Sequence, residues 1–299
     1  MANEIGMLPP FSTPPAAEGK GRMNESGAGA ETADNLRNNN IRKENSGVFM
    51  KGGEPFFILK SEEVGVMMLH GFTSSPYQLR ELGNFLAGKD LTVFCPVIAG
   101  HATSPEDLMK TTIADWQRSV DEAFIEISQK VKKVFVIGNS FGGNLAFDLA
   151  TRFSTIKGIV SLGAPIRLKN HAIIKLRYYT YGWMKKYYRK PGVHYHDDYV
   201  NVAENISYPV IPIKSLNNFL AFIETITLPN LGKVKTPTLI VHADKDPVVH
   251  PRSAQTLHEK LGSDYKKVCW LNGRFHTLTE SERRGEIYGR IYEFIKELS

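Results

Sequence analysis

Five consecutive residues, Gly138-Asn139-Ser140-Phe141-Gly142, carry the strongest chemical signal in the chain. An apolar run at 134–137 precedes them and helical spacing over 143–153 follows, so Ser140 is expected on a tight turn from strand to helix. Glycines two positions to either side remove Cβ atoms that such a turn would drive into its neighbours. The turn lifts the hydroxyl above a sheet edge and aims the first helical N–H, that of Phe141, at the point where negative charge develops when the hydroxyl attacks a carbonyl. This is the pattern of a nucleophilic serine. A second donor is expected from the turn after an earlier strand, and His70-Gly71-Phe72-Thr73 follows the apolar run 64–69. The backbone N–H of Phe72 is therefore read as the other half of an oxyanion hole, with His70 bracing the turn. Two preorganised amides supply about 3 kcal/mol each to a developing oxyanion.

The elements that must position these groups alternate. Strand-like runs at 64–69, 91–95, 134–137, 158–162, 238–242 and 267–271 are separated by helical spacing at 77–86, 114–127, 143–153 and 252–261, with a last helix at 284–298. Thr112 is the expected cap of the second of these helices. Strands divided by helices predict crossover units and a mostly parallel sheet flanked by helices, an α/β fold. Residues 47–59 read as a hairpin about Gly52-Gly53. Residues 1–45 have few large apolar side chains and no periodicity, which predicts a mobile tail ahead of one domain over 46–299. Between about 165 and 235 the alternation stops, which predicts an insertion without regular elements.

Composition narrows the function. With 42% hydrophobic and 23% charged residues over 299 positions, the chain is globular rather than fibrous or wholly disordered. No run reaches the ~18 apolar residues of a membrane-spanning helix, and the first 30 residues lack a secretory apolar core. Cys95 and Cys269 lie in strand-like runs and read as buried free thiols, which fits the cytoplasm. The net charge of +6 comes from one segment, 167–190, with eight basic residues and no acidic one. A charge this local argues against a nucleic-acid partner.

The order His70-Gly71-Phe72-Thr73, Gly100-His101, Pro105-Glu106, Asp115-Trp116 and then the serine turn resembles the bacterial carboxylesterase and monoacylglycerol-lipase branch of the α/β-hydrolases, over about residues 60–298. Where that family usually has a second glycine after Gly-His, this chain has Ala102, one added methyl in a loop. The resemblance implies an α/β-hydrolase fold with a cap, or lid, at the insertion, and a serine hydrolase acting on short-to-medium acyl esters or monoacylglycerols without metal or organic cofactor. It implies an acid after the strand 238–242, where Asp246 has the family's spacing to Val248-Val249 and Pro251. Asp244 remains the alternative. Of nine histidines, His276 alone stands on the loop between the last strand and the last helix, where the base belongs. The family's Ser-Gly before that histidine is Arg274-Phe275 here, a change in the wall of the acyl pocket.

The insertion is aromatic and basic: Tyr178, Tyr179, Tyr181, Trp183, Tyr187, Tyr188 and Tyr195 stand among its lysines and arginines. Tyr181 and Trp183 are expected to line the substrate pocket, and the basic aromatic surface to make weak contact with lipid interfaces. His194-Tyr195-His196-Asp197-Asp198 holds metal-ligand residue types but has no distant partner, so a structural loop is expected rather than a metal site. The same triad on a thioester, amide or carbon–carbon bond, or a silent binding fold, are the competing readings.

Overall fold

The computed structural model describes residues 49–169, 185–190 and 207–299. Seven strands form one sheet: β1 (Phe56–Ile58), β2 (Val64–Leu69), β3 (Thr92–Cys95), β4 (Lys133–Asn139), β5 (Ile156–Leu162), β8 (Thr238–Ala243) and β9 (Lys266–Leu271), in the order β1-β3-β2-β4-β5-β8-β9. All neighbours are parallel except β1, which runs antiparallel to β3. A small second sheet pairs β6 (Tyr187–Arg189) with β7 (Val210–Pro212).

Both faces of the large sheet are buried, and the strands show it residue by residue. Met67 and Leu69 of β2, with Val134 and Val136 of β4, join one core; Val66, Met68, Phe135 and Ile137 point into the other. The first core is closed by α3 (Ile113–Ser128), α4 (Phe141–Arg152) and α6 (Arg252–Lys260); the second is closed by α1 (Arg80–Ala87) and α7 (Arg284–Leu298). Apolar residues at helical spacing, such as Trp116, Val120, Ala123, Phe124 and Ile127, give α3 its buried stripe. Its start is set by Thr112 and Asp115, each accepting a hydrogen bond from the other's backbone N–H. Ser104 caps α2 (Pro105–Lys110): its Oγ accepts Asp107 N–H at 3.1 Å and donates to Asp107 Oδ2 at 2.9 Å, with Pro105 in the first turn. The Pro105-Glu106 and Asp115-Trp116 pairs thus build helix starts beside the site, and Trp116 is fully buried with its indole N–H donating to Thr111 Oγ1.

The strand order reverses its direction of growth between β3 and β4, leaving β2 beside β4 in the middle of the sheet. Ligands in open parallel sheets bind outside the carboxyl ends of the strands at such a switch point. Leu69 stands opposite Gly138 in the register, so the turn after β2 and the turn after β4 emerge side by side.

Three expectations need correcting. The turn at Gly52-Gly53 is present, with Gly53 N–H donating to Met50 O, yet β1 pairs with β3 rather than forming a hairpin with the residues before it. The insertion is not without regular elements. Besides β6 and β7, it carries α5 (Ile213–Ala221), which continues through a π-helical segment Phe222–Thr227 and a last turn Leu228–Asn230. Its apolar positions Leu216, Phe219, Leu220 and Ile223 have helical spacing, a signal readable beforehand. Finally, Ala102 sits at φ +56°, so the departure from glycine adds backbone strain as well as a methyl group. Residues 1–45, Tyr181, Trp183 and the cluster 194–198 lie outside the described residues.

Candidate active site

Ser140 occupies the turn between β4 and α4 at φ +51° and ψ −117°, a left-handed conformation that non-glycine residues rarely adopt. The flanking glycines are what permit it. A Cβ on Gly138 would run into the backbone of Gly142 and Gly143, and one on Gly142 into the carbonyls of Leu69 and His70. Phe141 is the first residue of α4, so its N–H is among those the helix cannot use itself.

The turn after β2 lies against this serine: a Cβ built on Gly71 would sit 3.5 Å from the Ser140 Cβ. The turn is held from within. Ser74 N–H and His70 Nδ1 both donate to Gly71 O, at 3.1 and 3.0 Å, while His70 Nε2 accepts from Ile98 N–H at 3.1 Å. An amide only donates, so the proton of His70 is assigned to Nδ1. Thr73 is at φ +63°, and no turn or loop bond among the described residues uses the Phe72 N–H. His70 and His101 are fully buried with ring centroids 5.1 Å apart. Burial, then the His101 ring beside it, push His70 down to about 3 against the opposing bond to Gly71 O. Burial holds His101 down to about 4. Both rings are therefore neutral braces at neutral pH and unsuited to proton transfer.

His276 follows β9 and reaches both neighbours named for it. Ser140 Oγ lies 3.0 Å from His276 Nε2, and His276 Nδ1 lies 2.8 Å from Asp246 Oδ2. Asp246 is fully buried, and its other oxygen accepts the N–H groups of Val248 and Val249 at 2.7 and 2.9 Å. Burial by itself raises this carboxyl; the His276 hydrogen bond and charge, with the two amides, outweigh it and hold Asp246 below the ordinary carboxylate range. Asp244 is exposed and accepts Gly273 N–H at 2.9 Å, so it ties down the histidine loop without touching the imidazole. The geometry thus separates the two aspartates that spacing left open.

Residues missed in the sequence surround the Phe72 turn. Phe219 of α5 stacks on Phe72 with centroids 4.8 Å apart and planes 12° from parallel, and meets Phe141 edge-on at 5.3 Å. Tyr208 N–H donates to Thr73 O at 2.9 Å while its hydroxyl donates to Gly100 O at 3.0 Å. Lys190 Nζ donates to Ser207 Oγ, which in turn donates to Thr73 O. Nothing local marks Tyr208 or Ser207, whose bonds to Thr73 and Gly100 span more than a hundred residues. His242, buried in β8 with no hydrogen-bond partner among the described residues, is held down to about 4 by burial, opposed by the nearby Asp246.

A serine, an imidazole and a carboxylate in this sequence of contacts can relay a proton from the hydroxyl, and the Phe72 and Phe141 amides belong to the two turns that meet at the serine. The chain is 31% identical to a thermostable monoacylglycerol lipase from Bacillus sp. (strain H-257) over 246 residues, covering 82% of this chain and 95% of that protein. It is 26% identical to a carboxylesterase from Bacillus subtilis (strain 168), over 81% of this chain and 96% of the relative. Among solved structures, one described as belonging to LipS and LipT, two metagenome-derived lipolytic enzymes, superimposes with a TM-score of 0.76 at 26% identity, covering 83% and 99% of the two chains. A monoacylglycerol lipase from Paleococcus ferrophilus shares the fold with a TM-score of 0.68 at 18% identity, over 82% and 98%. A family model described as serine aminopeptidase S33 matches residues 61–283, and the chain belongs to that family of α/β-hydrolases.

Proposed function

We propose that this chain is a serine hydrolase that cleaves carboxylic esters, short-to-medium acyl esters or monoacylglycerols, through an acyl-enzyme intermediate. The observation that carries the reading is the continuous contact from Ser140 Oγ through His276 to the buried Asp246 carboxylate. In this reading His276 Nε2 takes the Ser140 proton as the oxygen attacks the ester carbonyl. The N–H groups of Phe72 and Phe141 hold the oxyanion, and Asp246 keeps the imidazole proton on Nδ1 and stabilises the imidazolium. His276 then protonates the leaving alcohol, and water releases the acid by the reverse path. The names of the two Bacillus relatives favour an ester over other acyl bonds.

The segment 165–235 is read as a cap over this site. What supports it is the Phe219–Phe72 stack and the bonds from Ser207 and Tyr208 to Thr73. Lys185, Lys186 and Arg189 of this segment are exposed, which fits weak contact with anionic lipid interfaces. Neither cysteine forms a disulfide, which fits a cytoplasmic protein, and no helix among the described residues is long and apolar enough to cross a membrane.

A p-nitrophenyl ester series from acetate to palmitate, with and without a fluorophosphonate, tests the function. Turnover of the shorter chains, abolished by stoichiometric labelling of Ser140, is expected. Labelling without ester turnover would move the reading to thioesters, amides or carbon–carbon bonds, and a p-nitroanilide arm covers the amide that the family description names. Absence of labelling would refute the nucleophile.

A further inference from the structure

Gly71 precedes the Phe72 N–H that the proposed mechanism needs, and a glycine there leaves the donor's direction loose unless both adjoining peptide planes are held. The plane after it is held through Gly71 O, by His70 and Ser74. The plane before it is held by Gln78, whose Oε1 accepts the Gly71 N–H at 3.3 Å. The same oxygen accepts Asn139 Nδ2 at 2.8 Å. Because a backbone amide only donates, the atom facing Gly71 is the amide oxygen, and Asn139 must then present its NH2 group. Asn139 is the residue before Ser140. One oxygen therefore bridges the turn that carries the Phe72 donor to the turn that carries the nucleophile.

Two further facts give the bridge weight. Asn139 is 1% exposed and its Oδ1 has no hydrogen-bond partner among the described residues, so an amide is buried there with its contact to Gln78 as its hydrogen bond. Burying such a group is unfavourable compared with an apolar side chain of similar size. The backbone of Gln78 also reaches the third loop: Thr279 Oγ1, three positions past His276, donates to Gln78 O at 3.0 Å, and Thr279 O accepts the Tyr288 hydroxyl at 2.9 Å.

We propose that Gln78 is a positioning residue whose side-chain oxygen sets the spacing between the Phe72 N–H and Ser140, with Asn139 as its counterpart on the serine turn. This rests on the serine-hydrolase reading above. Losing an oxyanion donor outright lowers kcat by about 10²–10³, so loosening one lowers it by less. For Gln78→Met, which keeps length and removes the acceptor, kcat on p-nitrophenyl butyrate is expected to fall about 10- to 100-fold with KM within about twofold. Asn139→Leu is expected to behave alike, and the double variant to be no slower than the slower single one, because both remove one bridge. The second-order rate of Ser140 phosphonylation by a fluorophosphonate should fall in parallel, since that reaction also develops negative charge on an oxygen.

A kcat within twofold of wild type, a loss carried entirely by KM, or single effects that multiply in the double variant would overturn the proposal. If Gln78→Met does not fold, Asn139→Leu decides by the same criteria. A wild-type chain that is labelled but hydrolyses no ester sinks the ester reading alone, and the labelling rates still decide the role of Gln78. Failure of wild type to label sinks both.

Discussion

Replacing Asp246 by asparagine should disable the site without dismantling it, for a reason set by three hydrogen bonds. In the wild type Oδ1 accepts the Val248 and Val249 amides and Oδ2 faces His276 Nδ1 at 2.8 Å. Both backbone groups are donors, so an asparagine must turn its oxygen toward them, and its NH2 group then faces Nδ1. Two donors cannot share that contact. The imidazole takes the other tautomer, with its proton on Nε2, which lies 3.0 Å from Ser140 Oγ. A protonated Nε2 cannot accept the serine proton. The expected loss in kcat is ~10⁴-fold, equivalent to about 5.4 kcal/mol at ~1.36 kcal/mol per tenfold. Initial rates on p-nitrophenyl butyrate measure it, with circular dichroism to establish folding. The matched control is Asp244→Asn, whose amide oxygen can still accept Gly273 N–H; its rate should stay within about threefold of wild type, because it leaves the His276 contacts untouched. An Asp246→Asn enzyme within tenfold of wild type, or an Asp244→Asn enzyme equally impaired, would refute this reasoning.

Ser140→Ala should lower kcat by about 10⁶-fold with the fold retained, and a variant that keeps a few per cent of the rate would exclude Ser140 as the nucleophile. Stability should fall with acid well above the carboxylate range. His70, His101 and His242 are held down to about 3, 4 and 4 in the folded chain, while unfolded histidine binds its proton near ~6.5. The unfolded state thus binds more protons between about pH 6.5 and 4, and the stability present above that window is lost on descending through it, by up to about 1.4 kcal/mol per pH unit for each ring. Urea unfolding at pH 7 and pH 5 measures the difference, and equal midpoints would rule out neutral burial of these rings. Ala102→Gly should raise stability by about 0.5–1 kcal/mol, because relief of the φ +56° strain exceeds the added freedom of the unfolded chain; a lower melting temperature would contradict it.

Much of the architecture was legible because it is written in local periods. The two-sided burial of β2 and β4 shows as unbroken apolar runs, the start of α3 as Thr112 with Asp115, and the serine turn as glycines that keep Cβ atoms off Leu69 and the backbone of Gly143. α5 and its continuation were equally local, with Leu216, Phe219, Leu220 and Ile223 at helical spacing.

What the chain alone determined is therefore the serine turn, the Thr112 cap and the six parallel strands, together with the residue types that each presents. Only the tertiary structure decided which aspartate meets His276, that Gln78 holds Gly71 while meeting Asn139 61 residues away, and that Phe219 stacks on Phe72. The reason is physical. Backbone geometry and hydrophobic period act over a few residues, whereas these contacts follow from strand order and register, with β2 beside β4 and Leu69 opposite Gly138, and no short-range pattern encodes those.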